Sequence, residues 1–413
     1  MPTYSTPGVY IQEVSGGTRP IQGVGTETAA FLGVPPLRGA HLDKVVAINN
    51  REHFRAQFCG DATEATPLAH AVFGFFLNGG QRCYVVNVGE GGSLSGGSGN
   101  KKRGLDLLEA IDEVAIVAAP GYTDYASYDA VLSHCERMED RVAVLDAPED
   151  VDDIDRLKES GSAPAPPPRR PRREGAEEGA EAPASPPAAG LRCRDSPRGF
   201  GALYFPWITV ADPLSPSRLV NCPPSGHMAG IYARVDSQRG VHKAPANEVI
   251  NGALNLTYRL TNAEQGGLND RGINCLRFFQ REGFRVWGAR TLADAASEWR
   301  YLNVRRLFNM VEESIAKGTR WVVFEPNDRS LWKSIERDVR AFLLQLWRDG
   351  ALMGATPDQA FFVLCNEETN PPESIDQGRV VVRVGLAPVK PAEFVIFQIG
   401  QTAAGSQIES EGG

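Results

Sequence analysis

The chain has no apolar run near the roughly 18 to 20 residues that a bilayer-spanning helix needs, so direct membrane insertion is not expected. It has no basic excess either: 43 Lys and Arg stand against 51 Asp and Glu, for a net charge of −8. That balance argues against a general nucleic-acid binder, which needs a positive field. Paired cysteines are also missing. Cys59, Cys83, Cys135, Cys193, Cys222, Cys275 and Cys365 are scattered, odd in number, and form no CxxC. Most sit in apolar runs such as RCYVVNV and FFVLCN, the setting of reduced core thiols. The six histidines supply no cluster suited to zinc, and no metal site is expected. The first residues, MPTYSTPGVYIQEV, lack the basic and apolar regions of a secretory signal. Release from a cell would then need another route, such as lysis.

What is present suits a globular protein. The 413 residues exceed what one core usually serves, so two domains with appendages are expected. VYIQEV, between Pro7-Gly8 and Gly16-Gly17, is a short strand with no obvious local partner. From about residue 25 to 210, short apolar runs alternate with helical patterns. AAFLGVP, KVVAI, RCYVVNVG, EVAIVAAPG, RVAVLDAP and GALYFPWITV read as strands. REHFRAQF, PLAHAVFGFFLN, GLDLLEAI and DYASYDAVLSHCERM read as helices. This alternation predicts βαβ units and a mainly parallel, buried sheet. Residues 160 to 190 are Pro, Ala, Arg and Glu without aromatic or β-branched residues, and read as a disordered surface loop.

After residue 249 the pattern changes. ALNLTYRLT, INCLRFFQ, FRVWGAR, RWVVFEPN, AFFVLCN, RVVVRVGLAP and AEFVIFQIGQ read as strands. TLADAASEWRYLNVRRLFNMVEESIAKG and SLWKSIERDVRAFLLQLWRDG read as long helices ending at Gly318 and Gly350. The second half therefore predicts an α+β domain beside the first, α/β one.

PPSGHMAGIYARVDSQRGVHKAPANE, from Pro223, gathers Ser225, His227, Asp236, His242 and Lys243. A serine hydrolase using Ser225 and His227 is one reading. A nucleophile elbow needs G-x-S-x-G, however, and no glycine stands two residues before Ser225. Pro223-Pro224-Ser225 better suits a helix start, with Ser225 as N-cap and Met228, Ile231, Tyr232 and Val235 on an apolar face ending at Gly240. GEGGSLSGGSGNKKRG lacks a GK[ST] arrangement, and QGVGTETAAFLG lacks the third glycine of a dinucleotide fingerprint. No cofactor is expected. AEFVIFQIG is apolar on both faces, so it must pair inside its own chain, as in a monomeric binding module, or add to a neighbour. Head-to-tail strand donation builds open helices when the rotation does not close.

Taken together, TPGVYIQEV, AAFLGVPPLRG, LDLLEAIDEVAIVAAPG, ALYFPWITVADP, the PPSGHMAGIYARVDSQRGVHKAPANE tract, RVWGARTL, WRYLNVRRLFNMVEESI, WVVFEPND, LWKSIERDVRAFLLQLWRDGAL and PAEFVIFQIGQ make a chain that resembles the tail sheath proteins of contractile phage tails and related contractile injection systems. The likeness spans nearly everything except the Pro/Arg/Glu loop, and the length is nearer to simple two-domain sheaths. It implies a structural subunit and no enzyme. Such subunits form a helical homo-oligomer, in stacked six-fold rings, around an inner tube protein between a baseplate and terminator or cap proteins. The sheath assembles in a metastable extended state in the cytoplasm, then contracts and drives the tube through a target envelope.

The resemblance also implies a layout. Residues 1–22 would be a strand-donating arm, and 23–248 an outer α/β domain carrying the loop 159–199. Residues 249–388 would be an inner α+β domain facing the tube, and 389–413 a C-terminal strand arm with a polar tail. Val9, Tyr10, Ile11, Gln12, Glu13 and Val14, with Phe394, Val395, Ile396, Phe397, Gln398 and Ile399, would exchange between copies. Gly16 and Gly17 would be the hinge. On SLWKSIERDVRAFLLQLWRDG, Trp332, Ile335, Val339, Phe342 and Leu346 form an apolar stripe. Lys333, Arg337 and Arg340 fall on another face and would touch the tube.

Overall fold

The computed structural model describes residues 20–97, 99–161 and 190–396. Apolar runs with β-branched residues build the first half. In chain order come β1 (Ala29–Gly33), β2 (Val45–Ile48), α1 (Arg51–Phe58), α2 (Pro67–Leu77), β3 (Cys83–Asn87), β4 (Ile116–Ala118), α3 (Tyr125–Met138) and β5 (Val142–Asp146). Helix starts follow side-chain capping: Asn50, Thr66 and Asp124 each accept the backbone N–H three residues on. After the loop come β6 (Gly201–Phe205), β7 (Ile208–Ala211), β8 (Leu219–Cys222), α4 (Ser225–Arg239), β9 (Glu248–Val249), β10 (Asn255–Leu256), α5 (Asn262–Asp270), β11 (Ile273–Phe279) and β12 (Gly283–Trp287).

Nine of these strands form one sheet in the order β9-β12-β11-β6-β5-β4-β1-β3-β2. The six from β11 to β3 are parallel, and antiparallel neighbours close both edges. Both faces are covered, so residues alternate between two cores. Phe31, Val85, Val144 and Tyr204 face α1, α2 and α4, while Leu32, Val86, Leu145 and Leu203 face α3 and α5. All seven cysteines are buried and free. Burial raises Cys59 to about 11 and Cys193 and Cys275 to about 12, which keeps them as thiols.

Four expectations change here. The sheet runs on past residue 248, because β11 pairs parallel with β6 and carries β12 and β9 with it. The apolar hairpin β11–β12 looked like a new domain only because an antiparallel pair follows a parallel strand. GALYFPWITV is two strands, β6 and β7, parted by Pro206, which cannot donate to a ladder. ALNLTYRLT pairs only at Asn255–Leu256, against β7, before the Thr261–Glu264 capping box starts α5. Ser225 is not the N-cap of α4. Pro224 holds that position, and Ser225 is the first helical residue.

The second body is built on α6 (Leu302–Gly318) and α7 (Arg329–Arg348), with β13 (Phe361–Leu364) and β14 (Arg383–Leu386) pairing antiparallel. Its core joins Leu307, Met310 and Val311 to Leu331, Ile335, Val339 and Phe342, and takes in Ile21 and Val241. TLADAASEWR is not α-helical: the Asp294 and Ser297 side chains cap local turns there, the second a 3-10 turn at Glu298–Arg300. RWVVFEPN is not a strand either. Its Arg320–Val322 is a 3-10 turn, Phe324 is 102% exposed at φ 71°, and Asp328 caps α7. Residues 391–396 form no strand. The expected VYIQEV strand, the Gly16-Gly17 hinge, most of the Pro/Arg/Glu loop and Phe397, Gln398 and Ile399 lie outside the described residues.

Candidate functional site: a buried joint and the surfaces around it

The two bodies are tied by an ion pair between α4 and α6. Arg306 Nη1 donates to Asp236 Oδ1 at 2.9 Å and Nη2 donates to Oδ2 at 2.5 Å. Both side chains are almost fully buried, 3% and 2% exposed. Thr26 closes the site, its hydroxyl donating to Asp236 Oδ2 at 2.5 Å and its carbonyl accepting from Arg306 at 3.1 Å. The guanidinium also lies 4.8 Å from the Tyr232 ring centre, a cation–π contact. Burial raises the nearby Glu27 carboxyl, Asp236 adds to this, and Arg306 opposes it. A paired buried charge contributes orientation more than net stability, because desolvation offsets attraction. Asn303 adds a second tie. Its side-chain amide donates to the carbonyls of His242 (2.8 Å) and Val389 (3.0 Å).

The tract that suggested a hydrolase is spent on packing. The Ser225 hydroxyl and N–H each donate to Asp146, both at 2.7 Å, and Gly121 N–H donates to the same carboxylate at 3.2 Å. Burial pushes Asp146 up to about 6 against the pull of these donors. His227 is 3% exposed and its Nδ1 has no partner. Burial, then the neighbouring His70, pushes it down to about 3. Ser225 thus bonds a carboxylate and no histidine, and both side chains are shut from solvent, so the hydrolase reading fails. Met228, Ile231, Tyr232 and Val235 are buried as expected, but α4 is buried nearly all round. Gly226 and Gly230 make this possible. A Cβ on Gly226 would fall 2.2 Å from Ala71 Cα, and one on Gly230 would fall 2.4 Å from the Phe75 carbonyl. Lys243 folds back, donating to the carbonyls of Ala244 and Ala246.

Three surfaces surround this joint. On α7, Trp332, Ile335, Val339 and Phe342 are buried and Leu346 is partly so, while Lys333, Arg337 and Arg340 are exposed together. Each cation has an acidic partner: Glu336 at 2.8 Å, Asp338 at 3.0 Å and Asp358 at 2.8 Å. Among the described residues the β13–β14 sheet has two strands, and Phe362 and Leu364 stand out from it. The chain leaves through Phe394, Val395 and Ile396, which are 72, 71 and 82% exposed. At the other end, Ile21 enters the second core and Val24 N–H donates to Ser314 Oγ at 2.9 Å, so the chain from Pro20 onward runs along α6.

The sequence reading missed the joint, though a signal existed. Leu302, Arg306 and Met310 share one face of α6, and Met228, Tyr232 and Asp236 share one face of α4. A lone charge on an apolar stripe requires a partner of opposite sign.

A mixed α/β framework, a braced joint and an exposed apolar segment at Phe394–Ile396 define a building block. The phage tail sheath protein central domain matches residues 198–292, and the phage tail sheath C-terminal domain matches residues 294–402. The sheath complex of an extracellular contractile injection system, PVC, solved in its contracted state, is 30% identical with a TM-score of 0.74, across 97% of this chain and 99% of that one. The helical sheath of the anti-feeding prophage, also contracted, is 28% identical with a TM-score of 0.70, across 97% and 100%. Among curated relatives, the tail sheath protein of Vibrio phage KVP40 is 29% identical over 184 residues, 44% of this chain and 26% of its own length. That of Escherichia phage P2 is 28% identical over 170 residues, 40% of this chain and 41% of its own. The matched region thus spans less than half the length of those curated relatives. This chain belongs to the contractile tail sheath family, a family of structural proteins and not of enzymes.

Proposed function

We propose that the chain is the repeating subunit of a helical sheath that surrounds an inner tube and drives it through a target envelope by passing from an extended to a contracted state. The observation that carries this reading is the likeness, over nearly the full length of both chains, to a contractile injection sheath in its contracted state. Its partners are other copies of itself in stacked six-fold rings, a tube protein, a baseplate and a cap. It assembles in the cytoplasm, and the particle leaves by lysis. Among the described residues no helix is long and apolar enough to cross a membrane.

Strand exchange joins the copies. Val9 to Val14 and Phe394 to Ile399 add to neighbouring sheets, with Gly16 and Gly17 as the hinge. The two-stranded β13–β14 sheet supports this reading, since such a pair is marginal until further strands join it. Lys333, Arg337 and Arg340 grip the tube. The Lys333–Glu336 and Arg340–Asp358 pairs lie at the surface and are individually weak, so these two cations exchange readily for acids on a tube, whereas Arg337 also pairs with the buried Asp338.

Negative-stain microscopy of the purified protein, or of lysates from its native operon, tests the central claim. Tubes or striated sleeves are expected, and a protein that stays monomeric under every assembly condition refutes it. Removing residues 1 to 15 is expected to abolish assembly and leave a folded monomer. Normal tubes from that deletion would end the arm-exchange reading. Reversing Lys333, Arg337 and Arg340 to Glu is expected to weaken extended assembly on the tube, and unchanged assembly removes that helix face from the contact.

A further inference from the structure

An ion pair between a buried arginine and a partly buried glutamate holds the last described part of the chain. Arg290, just after β12, is 2% exposed. It donates from Nε to Glu393 Oε1 at 2.9 Å and from Nη2 to Oε2 at 2.7 Å. The Tyr301 hydroxyl donates to Oε2 at 3.3 Å, and Arg300 lies 3.5 Å from it. Burial opposes the charge on Glu393, but Arg290, Arg300 and Tyr301 outweigh it and hold the carboxyl below its usual range.

The two halves of this clamp belong to different parts of the molecule. Arg290 is fixed by the large sheet. Its Nη1 donates to the Asn269 carbonyl at 2.8 Å, its N–H donates to Asn274 Oδ1 at 2.7 Å, and its carbonyl accepts from Asn274 Nδ2 at 2.8 Å. Glu393 belongs to the segment after β14. That segment is tied at Ala387, whose carbonyl accepts from Met353 N–H at 2.7 Å, and at Val389 through Asn303. It then crosses to the first body. Immediately beyond Glu393, three apolar side chains stand in solvent.

We propose that the Arg290–Glu393 pair is the anchor that sets where, and in which direction, the apolar C-terminal segment leaves the subunit toward a second copy of this chain. This rests on the reading that Phe394 to Ile399 pairs with a neighbour. A bidentate guanidinium–carboxylate fork fixes orientation as well as position, which a single contact would not. Burial keeps it closed, because an unpaired buried guanidinium is costly. Without it the last fixed point falls back to Val389. The added slack dilutes the segment around its target edge. Glu393 is thus a positioning residue for assembly.

The test compares full chains carrying Glu393→Ala, Glu393→Asp, or two glycines inserted between Glu393 and Phe394, with a chain ending at Glu393. Folding of each monomer is checked by circular dichroism and assembly by microscopy. Glu393→Ala and the insertion are expected to stay folded and to lose about tenfold or more of sheath yield, the loss that a slackened tether brings. Glu393→Asp, which keeps the charge, is expected to recover part of it. Wild-type yield from Glu393→Ala, with none from the shortened chain, overturns the anchor and leaves strand exchange standing. Wild-type yield from the shortened chain overturns both. If Glu393→Ala fails to fold, the insertion decides, because it leaves the clamp intact. Full assembly with the insertion refutes the anchor.

Discussion

Asp236→Ala is the sharpest probe of the joint. It leaves the Arg306 guanidinium buried with the Thr26 carbonyl, the Tyr232 ring and the nearby Glu27 carboxyl for company. Removing one member of a buried pair costs about 3 to 5 kcal/mol, most of it from stranding the other charge. At about 2 to 4 °C per kcal/mol for a body of this size, the melting point of the monomer should fall by about 6 to 20 °C. The double change Asp236→Leu with Arg306→Met removes both charges and fills the space with apolar atoms. It is expected to lie within about 1 kcal/mol of the wild type, or above it. Urea unfolding gives the free energies, and hydrogen exchange on α4 and α6 shows whether the loss is local to the joint. A single-variant loss under about 1 kcal/mol, or a double variant as unstable as the single, would refute the reasoning.

The remaining predictions concern the buried histidines and the packing of α4. His227 titrates at about 3 and His134 at about 4 in the fold, both lowered chiefly by burial, with His70 lowered for the same reason. Unfolded imidazoles titrate near 6.5, so below that pH the unfolded chain binds protons the fold refuses. Stability therefore falls from about pH 6.5 toward pH 4, at about 1.4 kcal/mol per pH unit for each such histidine. Asp146, raised to about 6, binds its proton in the fold first and offsets one histidine between about pH 6 and 4. His227→Leu should make the slope shallower by one histidine's share, and an unchanged slope in urea titrations refutes the assignment. Gly230→Ala should destabilise by about 1 to 3 kcal/mol, since its Cβ meets the Phe75 carbonyl and backbone cannot give way as a side chain can. A neutral or stabilising effect in the same assay would sink the close-approach argument.

The parallel sheet was legible because strands buried on both faces are continuous apolar runs, as in FLGV and VAVL. The two long helices were legible from 3.6-residue periodicity, and α7 shows the expected stripe. Two kinds of error share a cause. RWVVFEPN and ALNLTYRLT have strand composition, yet pairing depends on a partner that local sequence does not name. The boundary after residue 248 failed for the same reason, since β11 is recruited by β6, 68 or more residues earlier in the chain. The Ser, His and Asp of the α4 tract were visible as residues, but Asp146 and Arg306, which bind Ser225 and Asp236, and Gly74, which packs on the His227 ring, lie in distant segments. Chemistry inferred from neighbours in sequence gave way to contacts made across the fold.

These contacts bear on how the subunit moves. Residues 241–247 join α4 to β9 within the first body and are short and polar enough to pass for a hinge, yet each stretch of them is fixed. Val241 lies in the second core, the His242 carbonyl is held by Asn303, Lys243 binds Ala244 and Ala246, and Asn247 N–H donates to the Val286 carbonyl at 2.7 Å. Rotation of the second body against the first would part Asp236 from Arg306, at a cost of about 3 to 5 kcal/mol per subunit. Movement that leaves the pair intact avoids that cost. The two bodies should therefore keep one mutual orientation while the links between copies bend. Structures of the extended and contracted sheath, superposed on the large sheet, measure this directly. Coincident α6 and α7 in the two states support the rigid joint. A changed angle between α4 and α6, with Asp236 and Arg306 separated, would show that contraction works through the subunit and not between subunits.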